Sequence, residues 1–173
     1  MITLVAFDLD GTLAESKQAL LPSMGKALAD LLAVAQVAVI SGGDWPQFHK
    51  QIVSQLPAHA DVSKLWLMPT TGTKLYTFTP TSKPEISNTQ ELTTGSKPET
   101  PLSTSAAGTW APVYAELFTD AQKTEILTAF DAALAATGFT PEQTWGPRIE
   151  DRGSQITFSA LGQLAPISAK EVW

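Results

Sequence analysis

The sequence predicts an α/β fold built on a parallel sheet, and three observations predict it. Apolar, β-branched runs at Ile2–Phe7 and Gln36–Ile40 have the length and composition of strands. Each run stops at a polar, glycine-containing turn, Asp8-Leu-Asp-Gly-Thr12 and Ser41-Gly-Gly-Asp44. Each turn leads toward a helical pattern. Strand, turn and helix, repeated, is the grammar of a parallel sheet. Binding sites in such sheets lie at the carboxyl ends of the strands, where both polar turns fall.

The elements follow in order. Ile2–Phe7 reads as a central strand covered on both faces. Pro22 opens a helix, with Leu21, Met24, Leu28, Leu31 and Leu32 near helical spacing. After the second strand, Asp44 is placed to cap a helix running to about Leu56, with Pro46 in its first turn. Leu65–Met68 and Lys74–Phe78 read as a third and a fourth strand, joined as a hairpin through Pro69–Thr73. The composition then turns to Thr, Ser, Pro and Lys across 79–109, which reads as a long mobile loop or linker. A helix is expected near Asp120–Thr137, with Ile126, Leu127, Phe130 and Leu134 on one face and Gly138 as its stop. Arg148–Asp151 and Gln155–Ser159 are expected to pair around an Arg152-Gly-Ser turn. The division expected is a core over 1–79, a linker over 80–109 and a second lobe over 110–173.

Composition narrows the function classes. With 43% hydrophobic and 16% charged residues, the 173-residue chain can form a core. A net charge of −6 disfavours nucleic acid and anionic membranes as partners, but a small phosphorylated substrate needs only a few local cations. The absence of cysteine excludes disulfides, thiolate metal sites and cysteine nucleophiles. The first residues read as a buried strand and not as a signal peptide, so a cytoplasmic location is the default expectation. His49 and His59 lack metal-ligand spacing, and the five tryptophans are dispersed, which suggests packing.

Asp8 and Asp10 carry the chemistry. Two carboxylates at the end of an apolar strand are costly to bury unpaired, so a cation is expected beside them. Oxygen ligands suit Mg²⁺. Gly11 permits close backbone approach, and the Gly11 and Thr12 amides are expected to face a phosphate. Ser41, also at a strand end and before a helix, offers a hydroxyl and free amides to phosphate oxygens.

Asp8-Leu-Asp10-Gly-Thr12 resembles the DxDGT signature of the haloacid dehalogenase (HAD) superfamily, and Ser41 is similar to its second motif. The resemblance implies a Rossmann-like core with an inserted, here partial, α+β cap of the C2 type. It implies that Asp8 attacks phosphorus to give an aspartyl phosphate. It implies that Asp10 protonates the leaving oxygen and then activates the group that discharges the intermediate. Mg²⁺ would be held by the Asp8 carboxylate and the Asp10 backbone carbonyl. Gly11, Thr12, Ser41 and Gly42 are the implied phosphate-binding residues.

Within the superfamily the chain resembles the type IIB branch of Cof-like sugar phosphatases and eukaryotic-type phosphomannomutases. The run from Ile149 to Gly162 carries that likeness. Arg152 matches a substrate-binding cap arginine; Lys17 and Lys170 fall where the mutases have arginine, and Gln163 falls at a third cap arginine with the charge lost. A mutase grips phosphate at either end of its sugar with arginine forks that lysine cannot copy. The expected function is therefore Mg²⁺-dependent hydrolysis of a small phosphorylated metabolite, a phosphosugar first. A phosphosugar mutase is the alternative. The family's third-motif lysine and fourth-motif acid have no counterpart after Lys170, so a C-terminally truncated chain, or a non-catalytic binding module, is also carried as an expectation. A homo-dimer through an unpaired core edge stays open.

Overall fold

The computed structural model describes residues 3–80, 108–139 and 141–173. The expected linker therefore lies almost wholly outside the described residues. A five-stranded sheet in the order β1-β2-β3-β4-β5 forms the larger layer. Its strands are β1 (Leu4–Asp8), β2 (Gln36–Ile40), β3 (Leu65–Met68), β4 (Lys74–Pro80) and β5 (Gly108–Ala115). The first three run parallel, and β4 and β5 are antiparallel additions. The mixed sheet extends the parallel one expected, and the Leu67↔Tyr76 pairing makes β3 and β4 the expected hairpin.

Helix α1 (Pro22–Val34) starts at its proline and buries Gly25, Leu28, Ala29 and Leu32. Helix α2 (Trp45–Gln51) is capped by Asp44, whose carboxylate accepts from the Trp45 amide. It ends earlier than expected: Val53–Gln55 continues as a 3₁₀ turn. Leu9, Leu28, Leu32, Val37, Val39, Phe48, Ile52, Leu65 and Leu67 form the core between these helices and the sheet. Burying each such side chain fully is worth ~1.5–3 kcal/mol, which makes this cluster the main driving force.

Two strand expectations are corrected. β1 is not a central, doubly covered strand: it ends the sheet, and Leu4 is 45% exposed. An apolar run looks alike whether one face or two are covered; Leu4, Ala6 and Asp8, on one face of β1, are exposed. The boundary at 110 falls inside β5, which pairs with β4 from Lys74↔Ala115 to Pro80↔Gly108. By sheet membership, residues through Ala115 belong with the core.

The remaining layer is small. Helix α3 (Asp120–Thr137) carries a Thr119–Gln122 capping box and stops at Gly138 in the left-handed conformation. Strands β6 (Ile149–Asp151) and β7 (Ile156–Phe158) form a separate two-stranded sheet, and Phe130 of α3 stacks on Phe158. A short helix α4 (Ile167–Glu171) follows. The turn between β6 and β7 docks on the core: Ser154 is buried and donates to Thr70 Oγ1 at 3.0 Å, while Thr73 Oγ1 donates to Ser154 at 2.7 Å. Phe118 N also donates to Gly153 O at 2.9 Å.

Candidate active site

Parallel register builds the site. Asp8 at the end of β1 pairs with Ile40 at the end of β2, so Asp8 and the Ser41–Gly43 loop stand side by side at the carboxyl edge. The Asp8 carboxylate is exposed and has no hydrogen-bond or ion-pair partner among the described residues.

The loop after β2 is held by its carbonyls. Thr71 N donates to Ser41 O at 2.9 Å, Thr70 N to Gly43 O at 2.8 Å, and the Arg152 guanidinium to Gly42 O. The two amide donors come from a turn in which Thr70, Thr71 and Gly72 all have positive φ, a costly conformation for threonine. Ser41 N is used by Met68 O, but the Gly42 and Gly43 amides donate to no described group. With the carbonyls bound from one side, these two amides and the Ser41 hydroxyl are the groups left for an anion. A Cβ at Gly42 meets nothing within 4 Å, so open space lies beside that residue.

The expected role of the Gly11 and Thr12 amides is corrected. Gly11 N donates to Ala14 O at 2.7 Å and Thr12 N to Leu9 O at 3.3 Å, because the segment folds into a tight turn with Gly11 at φ 83°. Both residues instead line an open cavity of about 550 Å³. The amide of Gly43, which the sequence reading passed over, donates to no described group.

Asp10 sits in a cage of uncharged donors. Its Oδ1 accepts from Lys17 N at 2.8 Å and from Gln51 Nε2 at 3.3 Å; its Oδ2 accepts from Gln47 Nε2 at 3.2 Å. Its backbone carbonyl accepts no described hydrogen bond. That carbonyl and the Asp8 carboxylate are hard oxygen donors on one edge, the chemistry Mg²⁺ takes. Among the described residues there is no group of three His, Cys, Asp or Glu able to hold a metal. Two such oxygens suit an ion that keeps several of its waters, as Mg²⁺ does.

Two of the cations singled out in the sequence, Lys170 and Arg152, act electrostatically on the third, Lys17. Partial burial, then the positive charges of Lys170 and Arg152, hold the Lys17 ammonium below the usual lysine range, while Glu150 and Asp10 pull it the other way. Lys17 Nζ donates to Gln163 O at 2.9 Å. Arg152 is no solvated turn residue: its side chain is 10% exposed and also donates to Glu150 Oε2 at 2.8 Å. Lys74, unremarked in the sequence, is buried; it pairs with Asp44 at 2.7 Å and donates to Arg152 O at 2.7 Å, tying the α2 cap to the β6–β7 turn. Glu150 and Asp151, the only later acidic pair, are paired with Arg152 and Lys123.

This α/β fold, a mixed sheet with helices, is shared with solved structures of a nucleotidase. It is similar to IMP-nucleotidase of Plasmodium falciparum, at TM-score 0.53 and 13% identity over 90% of this chain and 38% of that one. The N-terminally truncated, IMP-bound form of that enzyme matches at TM-score 0.53 and 12% identity, over 99% of this chain and 44% of that one. The chain thus spans less than half the length of these neighbours. No protein-family model and no curated protein matches it.

Proposed function

We propose that this chain carries the phosphate-transfer site of a Mg²⁺-dependent phosphohydrolase acting on a small phosphorylated metabolite, a phosphosugar first. One observation carries the reading: an Asp8 carboxylate with no partner among the described residues stands in register beside a loop whose Gly42 and Gly43 amides donate to no described group and whose carbonyls are bound. Asp8 Oδ attacks phosphorus as the bond from phosphorus to the leaving oxygen breaks. The proton held on Asp10 passes to that oxygen. A water then attacks the acyl phosphate, giving its proton to Asp10 as the Asp8–phosphorus bond breaks. Ser41 Oγ and the Gly42 and Gly43 amides hold the phosphate oxygens. The Asp8 carboxylate and the Asp10 carbonyl would hold Mg²⁺, which would supply charge neutralisation.

Lys17 and Lys170 suit a substrate with a second anionic group, while the Arg152 guanidinium is engaged by Gly42 O and Glu150. That grouping favours phosphosugar mutation as a second reading. Isomerisation of a hexose 1-phosphate with a bisphosphate activator supports the mutase; release of free phosphate alone supports the hydrolase.

The deciding experiment assays the purified chain against a panel of phosphomonoesters with Mg²⁺, beside Asp8→Asn. Turnover that disappears in the variant is expected. Turnover retained in the variant overturns the nucleophile assignment. No turnover by the wild type leaves a phosphate-binding module in place of an enzyme.

A further inference from the structure

Gln47 and Gln51 are four residues apart on α2 and therefore share a helix face. That face meets Asp10 across the fold. Gln47 Nε2 reaches Oδ2 of the carboxylate, and Gln51 Nε2 reaches Oδ1. Gln51 is 1% exposed, and its second N–H donates to Gln18 O at 2.5 Å, which fixes the amide plane. Gly43 makes room for the other arm: a Cβ there would stand 2.6 Å from Gln47 Cδ. No real Cβ contact is so short, so any side chain at 43 displaces Gln47.

We infer that Gln47 and Gln51 form a two-amide clamp that positions Asp10 for proton transfer. This rests on the phosphohydrolase reading and goes beyond it. A carboxylate oxygen offers two lone pairs. Oδ1 has both engaged, by Lys17 N and Gln51 Nε2, whereas Oδ2 has one engaged, by Gln47 Nε2. Oδ2 is therefore the oxygen that carries the proton to and from substrate. The donors are neutral amides, so they fix the direction of the carboxyl group. Gln47 and Gln51 are positioning residues, because they act through Asp10 and not on phosphate.

A leaving-group series tests this. A nitrophenolate leaves without a proton, and an alkoxide does not. Wild type, Gln47→Leu, Gln47→Glu and Gln51→Leu are compared on 4-nitrophenyl phosphate and on alkyl phosphates. General acid catalysis is worth ~10²–10⁴-fold, so a mispositioned acid is expected to cost at least ~10-fold more in kcat on the alkyl esters than on the aryl ester. KM stays near the wild-type value. Gln47→Glu keeps the shape but sets a second carboxyl against Asp10 in place of a neutral amide, so it too loses selectively on the alkyl esters. Equal losses across the series, or none, overturn the clamp while leaving the phosphohydrolase standing. A wild type no more active than Asp8→Asn overturns both. Gln51 is buried, so each variant's thermal melt is recorded; if Gln51→Leu unfolds, the less buried Gln47 pair decides.

Discussion

The guanidinium of Arg152, on the turn between β6 and β7, donates to the backbone carbonyl of Gly42, on the loop after β2. One arginine thereby joins the small layer to the candidate phosphate loop. Its fork also grips Glu150, so charge and shape are both used. Arg152→Ala is expected to cost ~1.5–3 kcal/mol of stability, the range for a hydrogen bond to a charged group. Arg152→Lys keeps the charge without the fork and recovers only part of it. Urea unfolding midpoints check this; a lysine variant as stable as wild type would remove the fork from the account.

How much of this was legible depended on distance along the chain. Asp8, Asp10 and Ser41 follow directly on their strands, so a local pattern places them together. Asp44 as a cap and Gly138 as a stop are local in the same way. Gln47 and Gln51 show helical spacing, but their shared partner lies 37 and 41 residues back, which no local pattern reveals. Thr70, Thr73 and Ser154 look like ordinary turn residues; only the fold joins them into one hydroxyl network. Lys74 read as one more strand residue because its carboxylate is 30 positions away. β1 was misread because an apolar run does not say how many faces have neighbours.

Asp8→Asn separates function from fold. Asp8 is exposed and has no described partner, so the substitution is expected to shift stability by less than ~0.5 kcal/mol. Turnover should nevertheless be lost. A circular-dichroism melt beside the phosphate-release assay checks both halves. A variant that melts far below wild type would mean that Asp8 has a structural partner, and inactivity would then say nothing about nucleophilic attack.

Bound anion should stabilise the protein through Lys17. The charged form of Lys17 is disfavoured by partial burial and by the charges of Lys170 and Arg152. An anion among them relieves that repulsion. Ligand at ~100 times its Kd adds ~2.7 kcal/mol, so the melting temperature should climb with inorganic phosphate. Lys17→Met should blunt the climb. The sign of the pH effect follows from the lowered pKa: the penalty on the native state is full at neutral pH and fades as pH rises through the folded value. The phosphate effect should weaken over the same alkaline range. An equal climb in Lys17→Met would exclude Lys17 from the anion site.

Lys123 and Asp151 link α3 to β6 by an ion pair at 2.8 Å, and Gly153 N donates to the same carboxylate at 2.7 Å. The hydrogen bond from Lys123, then that from Gly153, holds Asp151 below the usual carboxylate range. A depressed carboxylate contributes stability that is present above its unfolded value, ~3.9, and lost as pH falls through its folded value. The pair is partly exposed, so solvent screening limits its worth to ~0–1 kcal/mol. Asp151→Asn should therefore be slightly less stable than wild type at neutral pH, and the gap should close in acid. Denaturant midpoints at neutral pH and below ~pH 3 measure the two gaps. A gap that stays constant would assign the stabilisation to shape, since asparagine retains an acceptor for Gly153 but not the charge for Lys123.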